Sequence, residues 1–245
     1  PNGTTYTWAT PVVISGSVTG QTSASNASEI NQTLNNRGTT LAVVTYTVTP
    51  RYQNCDGQPF KIAVNIAPTL TTNAVQPVSI CSGNAFTVSP VGNVTGTKYT
   101  WVANVISGSA TGFASENTPS STISQTISNA GTSSALIEYT VTPVYGACVG
   151  ANFKFTVTVA PAIAKNTITA SQTICAGKKP NELLGSSPTG GNNSFTYEWE
   201  QSTDGINWVV ATGTKDGINY APSTLTQTTQ YRRNVKSNSC AVNTS

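Results

Sequence analysis

Apolar and polar residues alternate through NFKFTVTVA: Phe153, Phe155, Val157 and Val159 fall on one side, Lys154, Thr156 and Thr158 on the other. A period of two sends these side chains to opposite faces of a strand, one toward a core and one toward water. The same period runs through ALIEYTVT, where Ile137, Tyr139 and Val141 share a face, and through KYTWVA, where Tyr99 and Trp101 do. AFTVS and STISQTIS read as further short strands. Clusters of Gly, Asn, Ser and Pro punctuate these runs, and no convincing amphipathic helical run lies between them. Many short strands separated by turn residues predict a β-sandwich. QSTDGINW (Gln201–Trp208) reads as a hairpin with Asp204-Gly205 at its turn.

The pattern recurs. VTYTVTPRYQNC and IEYTVTPVYGAC place Tyr46 and Tyr139, and likewise Cys55 and Cys148, 93 residues apart. TYTWA around Trp8 returns as KYTWV around Trp101, INQTLNNRG as ISQTISNAG, and NIAP as TVAP. A third, divergent copy follows: SICSG (Ser79–Gly83) returns as TICAG (Thr173–Gly177), KYTW as TYEW, and EYTVTPVYGAC as QYRRNVKSNSC. A fixed period of this size marks a repeated domain. The expected units are 1–68 (lacking its N-terminal part), 69–161 (complete) and 162–245 (lacking its C-terminal part), an excerpt of a longer array. The fold expected is all-β: tandem Ig-like or PKD-like β-sandwiches in a linear array.

Composition narrows the function. Charged residues make up 9% of the chain, against about 25% in an average protein, which argues against a disordered linker. A net charge of +3, scattered along 245 residues, gives no nucleic-acid footprint. No apolar run approaches the roughly 20 residues of a membrane span, so this segment is not membrane-embedded.

Five cysteines divide by repeat position into Cys81 with Cys148, Cys175 with Cys240, and an unpaired Cys55. Cys55 matches Cys148, so its partner is expected upstream of Pro1. Two bridges, Cys81–Cys148 and Cys175–Cys240, would place the protein in an oxidising compartment; the alternative is buried free thiols. Trp8, Trp101 and Trp199 share one repeat position, Tyr46 and Tyr139 another, and all five are expected in cores. Trp208 has no counterpart. It and Tyr220 are the candidates for an exposed aromatic ligand contact, against a packing role in the hairpin.

Catalytic chemistry finds little to use. The chain has no His, which removes Ser-His-Asp and Cys-His arrangements. Glu198 and Glu200 flank Trp199 on one strand face, and paired carboxylates serve glycoside hydrolysis, but that face opposes a buried Trp and reads as solvent. Asp204 and Asp216 stand alone in turns, short of the clustered oxygens calcium needs. Lys61 and Lys154 point outward, away from any buried Lys–Asn bond. We expect no catalytic residue, metal or cofactor.

The pattern ICSG…YTW…QTIxNxG…YTVTPxxxxC…VTVxP resembles the PKD-like, Ig-like repeats of giant surface adhesins in gliding Bacteroidota. Copy three, with ICAG, YEWEQSTDGINW and LTQTTQYRR, is similar to a sister repeat type of the same proteins. Standard PKD domains follow the Trp with a Phe-Gly-Asp-Gly-type turn; here it leads into ATPVVISG or VANVISG, so no calcium or ligand role is carried over from that turn. The resemblance implies type IX export, an outer-membrane tether and movement along the cell surface.

The expected function is therefore a spacer in a long extracellular adhesin, monomeric as an excerpt, whose partners are the neighbouring repeats and an extracellular glycan or substratum. Two rivals remain: a glycan- or protein-binding module, and an accessory region of a secreted polysaccharide-degrading enzyme.

Overall fold

The runs AVVTYTVTPRY and ALIEYTVTPVY become the two longest strands among the residues described by the computed structural model, which are 2–238 and 240–245. Every regular element among them is a strand. The first unit holds β1 (Thr5–Trp8), β2 (Val12–Ser15), β3 (Val18–Thr19), β4 (Ala24–Ala27), β5 (Asn35–Asn36), β6 (Ala42–Tyr52), β7 (Cys55–Asp56) and β8 (Phe60–Ile66). Along β6 the alternation sends Ala42, Val44, Tyr46 and Val48 into the core. One edge of β6 pairs with β1 and β2, the other with β8 and the short β7, all antiparallel.

The second unit repeats this plan and adds to it. Its strands are β9 (Val78–Cys81), β10 (Asn84–Val88), β11 (Lys98–Ser107), β12 (Glu116–Ser120), β13 (Ile123–Ile127), β14 (Ala135–Tyr145), β15 (Cys148–Val149) and β16 (Phe153–Ala160). A sheet ordered β12-β11-β14-β16-β9 faces the β10–β13 pair. β9 runs parallel to β16, with Cys81 beside Ala160. Between the sheets lies a core of Phe86, Tyr99, Trp101, Ile123, Ile127, Ile137, Tyr139, Phe155, Val157 and Val159. Tyr139 stacks on Phe155 at 4.9 Å, and Phe86 meets both rings edge-on, arrangements that add to burial. This is an Ig-like sandwich.

Most polar groups that enter these cores are paired, as burial favours, while the Tyr99 hydroxyl is buried without a hydrogen-bond partner. The Trp101 indole donates to the Ala114 carbonyl at 2.9 Å, Gln125 Nε2 donates to that same carbonyl at 2.7 Å, and Gln125 Oε1 accepts from the Tyr139 hydroxyl at 2.6 Å. Trp8, the Thr22 carbonyl, Gln32 and Tyr46 repeat the tie in the first unit. The recurring Gln-Thr motif is thus the link between the two aromatic positions. Asn36 and Asn129 do comparable work: each side-chain amide donates to two backbone carbonyls, and each Oδ1 accepts from the amide of the Gly two residues on. Gly112, at φ +89°, approaches the Thr126 carbonyl where a Cβ would sit 2.3 Å from the oxygen.

The third unit holds β17 (Thr196–Ser202), β18 (Val209–Val210), β19 (Gln230–Lys236) and β20 (Asn243–Thr244), ordered β18-β17-β19-β20. β17 and β18 form the hairpin around Asp204-Gly205. Its core differs. Arg233 replaces the apolar residue found at Val141 and is fully buried. The guanidinium donates to Asn166 Oδ1 and to the carbonyls of Ile218 and Ser186 at 2.8–2.9 Å, and lies over the rings of Tyr197 and Trp199. Desolvation lowers its pKa from the ordinary arginine value.

Candidate functional site: the disulfide-tied joint

Between the second and third units the chain runs through Pro161 and Ile163 onto the loop at residues 189–191. Ala164 and Thr189 exchange backbone hydrogen bonds at 2.9 Å, and the Gly191 amide donates to the Pro161 carbonyl. Ile163 is buried beside Val235, Cys81 and Cys240, with Ala160, Phe195 and Tyr197 packed around them. Across this seam Cys81 and Cys240 form a disulfide, with Cα atoms 5.2 Å apart and a sequence separation of 159. The end of β9 in one unit is thereby bonded to the turn after β19 in the next.

This overturns the expected bridges Cys81–Cys148 and Cys175–Cys240. Cys148 begins β15, next to Tyr145 at the far end of β14, whereas Cys81 lies beside Ala160, at the end of the sheet where β14 begins. Ten residue steps along β14 set the two apart by about 33 Å, and a disulfide tolerates about 7 Å between Cα atoms. Cys175 lies toward the start of β19, where the Gly177 amide donates to the Leu225 carbonyl; Cys240 lies past its end. Cys55, Cys148 and Cys175 are all free and exposed, so Cys55 is not a special case. The repeat period identified equivalent cysteines but not which end of the sandwich each one occupies.

The first joint is built like the second. Thr71 and Asn93 are joined by two hydrogen bonds, Asn73 donates to the Val91 carbonyl, and Asn93 Nδ2 reaches the Thr69 carbonyl. Leu70, 93 residues before Ile163, is buried at 3% exposure. It packs where Gly150 and Pro143 meet: a Cβ on Gly150 would fall 2.7 Å from the Leu70 side chain and 2.8 Å from Pro143.

The aromatic candidates separate. Trp8, Trp101, Trp199, Tyr46 and Tyr139 are each at most 7% exposed. Burial raises the pKa of the Tyr46 and Tyr139 hydroxyls above the usual tyrosine range. Tyr220 is 1% exposed, stacked on Trp199, with its hydroxyl on the Thr212 carbonyl; it is no ligand platform. Trp208 is half-buried with the Arg232 guanidinium 4.3 Å over its ring, and Arg232 is held by Glu200 at 2.6 Å. An open groove runs past Trp208, lined also by Ile168, Cys175, Leu183, Leu225 and Tyr231.

Acidic chemistry is local. Asp204 accepts from the Ile206 and Asn207 amides, the Asn207 side chain and Ser202; those bonds, led by Asn207, hold its carboxyl well below the usual range. They lock a turn. Glu200 is engaged by Arg232 and Glu138 by Lys154. No cluster of three or more metal-ligating side chains occurs among the described residues. No helix among them is long and apolar enough to cross a membrane. The interdomain bridge, the Gln ties and Arg233 all escaped sequence reasoning. Only the Gln ties left a signal, the repeated Gln-Thr.

Comparison with known proteins gives a family and several distant structural likenesses. Residues 1–70 and 78–163 match a family model described as a PKD-like domain. Residues 164–245 match one described as a domain of unknown function (DUF8696). No curated protein matches the chain. Domains A168–A170 from titin align over 81% of this chain and 70% of theirs, at 11% identity and a TM-score of 0.39. The FN1–FN3 domains of chicken CNTN1 align over 98% and 86%, at 9% identity and a TM-score of 0.38. Yersinia pseudotuberculosis InvD aligns over 99% and 86%, at 14% identity and a TM-score of 0.26.

Proposed function

The chain belongs to the PKD-like domain family, and from that premise we propose that it is a spacer segment in the stalk of a long extracellular adhesin that serves surface attachment and gliding motility. Its units are taken as 1–68, 69–161 and 162–245. The observation that supports this reading is the Cys81–Cys240 bond between successive units. A covalent tie across a joint already stitched by backbone hydrogen bonds resists bending and separation, which suits a column and is idle in a free-standing binding domain. A disulfide also belongs with an oxidising, extracytoplasmic location.

The neighbouring repeats are the partners in this reading, and adhesion to a glycan or substratum falls to a part of the protein away from the joints. Burial of Tyr220 and engagement of Trp208 by Arg232 weigh against a sugar platform here.

Small-angle scattering tests the column. A strand of 11 residues spans about 36 Å, so three units in line reach roughly 110 Å and a radius of gyration near 32 Å. A single globule of this length would give about 18 Å, and that result would overturn the spacer reading. The full gene separates the rivals: many further repeats support the adhesin, whereas a catalytic domain supports the enzyme accessory.

A further inference from the structure

Two buried hydroxyls beside the first joint lack partners. The Tyr99 side chain is 1% exposed, its ring meets Phe153 edge-on, and its hydroxyl oxygen touches no hydrogen-bonding group. The Thr72 hydroxyl, on the linker that leaves the first unit, is covered in the same way. Both atoms are enclosed by the protein around them, so neither is a surface group that another stretch of chain could cover. Such groups are rare in native proteins, because each forfeits the hydrogen bonds it had in water.

The backbone brings the two together. Asn73 donates to the Val91 carbonyl and Asn93 to the Thr71 carbonyl, which makes Thr72 and Gly92 a directly opposed pair without hydrogen bonds of its own. In such a pair the side chains stand on one face, at the closer of the two antiparallel spacings. Opposite Thr72, however, Gly92 carries no side chain. A Cβ there would lie 3.2 Å from the Tyr99 hydroxyl oxygen and 3.1 Å from Thr97 Oγ1. Gly92 has no positive φ to account for the glycine; its missing side chain leaves a gap among three hydroxyls.

We propose that Thr72, Thr97 and Tyr99 form a binding site for one buried water molecule, which ties the linker to the second unit. The Thr97 hydroxyl already donates to the Val94 carbonyl at 2.7 Å, so toward the gap it offers a lone pair. The water accepts from the Tyr99 and Thr72 hydroxyls and donates to Thr97 Oγ1. Three hydrogen bonds are the usual complement of a buried water, and these leave none of the three hydroxyls unpaired. The second joint has Phe195 in place of Thr97 and so lacks the third hydroxyl. The site belongs to the joint itself and stands whether or not the array is an adhesin.

A high-resolution crystal structure of the whole chain should show a water within hydrogen-bond distance of all three hydroxyls. Amide hydrogen exchange gives a second readout. Tyr99→Phe and Thr72→Val each remove one hydroxyl and keep the shape of the side chain, so both variants retain the fold. Each should speed exchange of the Asn73 and Asn93 amides, whose bonds flank the site, by at least about fivefold, with exchange at Tyr139 in the sandwich core unchanged. The double variant should exchange little faster than the faster single one, because either change alone dislodges the shared water. A crystal structure without that water, amides unmoved by Tyr99→Phe, or a double variant that multiplies the two single effects would each overturn the proposal. So would slower exchange in Tyr99→Phe, the sign expected when an unpaired hydroxyl is removed.

Discussion

Pulling the chain from its ends should reveal the interdomain bond as a length. Force entering at residue 2 and leaving at residue 245 crosses from Cys81 to Cys240 through the disulfide, bypassing the 159 residue steps between them. With the bond intact, extension can draw only on the first unit, the linker up to Cys81 and the last few residues. Reduction adds the bypassed stretch, which at about 3.5 Å per residue is roughly 560 Å of contour length. Bridges within each repeat would hide stretches of 67 and 65 residues, each releasing only about 230 Å. Single-molecule force spectroscopy with and without a dithiol reductant distinguishes these lengths. A gain near 230 Å per unit, or no gain at all, would refute the pairing and with it the account of how the joint bears tension. In the chain-entropy model, closing a loop of this size also stabilises the two units by about 5 kcal/mol.

Alkylation of unfolded, unreduced protein should label three thiols, Cys55, Cys148 and Cys175, with mass spectrometry placing the remaining two in one linked peptide; a single labelled thiol would restore bridges within repeats. Gln125→Ala should cost about 1–3 kcal/mol in urea unfolding by stranding the Tyr139 hydroxyl, whereas Thr156→Ala on the outer face should stay within about 0.5 kcal/mol. Gly185→Ala would set a Cβ 1.8 Å from Arg233 Nη1 and 2.3 Å from the Ile218 carbonyl; a loss of about 1–3 kcal/mol confined to the third unit is expected. Burial, with Tyr220 beside it, pushes the Tyr231 hydroxyl up to about 12. Folding thus favours its neutral form, and that stability is complete below pH 10 and falls as pH rises toward 12. Denaturant midpoints between pH 8 and 12 should show the fall, and Tyr231→Phe should lessen it, the remainder belonging to the buried Tyr46 and Tyr139 hydroxyls.

Strand positions were legible because a half-buried strand must alternate, and β6, β14 and β16 do so without interruption. The Trp and Tyr positions were legible because their repetition at a fixed spacing marks a shared environment. The disulfide was not. Position within a repeat says nothing of whether a cysteine lies at the leading or trailing end of a sheet, and Cys81 and Cys148 differ in just that respect. Arg233 was hidden for another reason: on a strand it looks like an outward charge, and its burial depends on carbonyls from Ile218 and Ser186, distant in sequence. Trp208 and Tyr220 illustrate the limit for binding sites, since an aromatic residue in a loop gives no hint of which partner will cover it.

The bond across the second joint also bears on proteolysis. Residues 161–167 link the two units: Pro161, Ile163 and Asn166 are buried, while Ala162, Ala164 and Lys165 between them face solvent, where an extracellular protease would cut. Cys81 lies before this link and Cys240 after it, so a cut there severs the backbone while both fragments remain one molecule. Such a nick would show on a reducing gel and disappear on a non-reducing one, because the two fragments stay held by the Cys81–Cys240 bond.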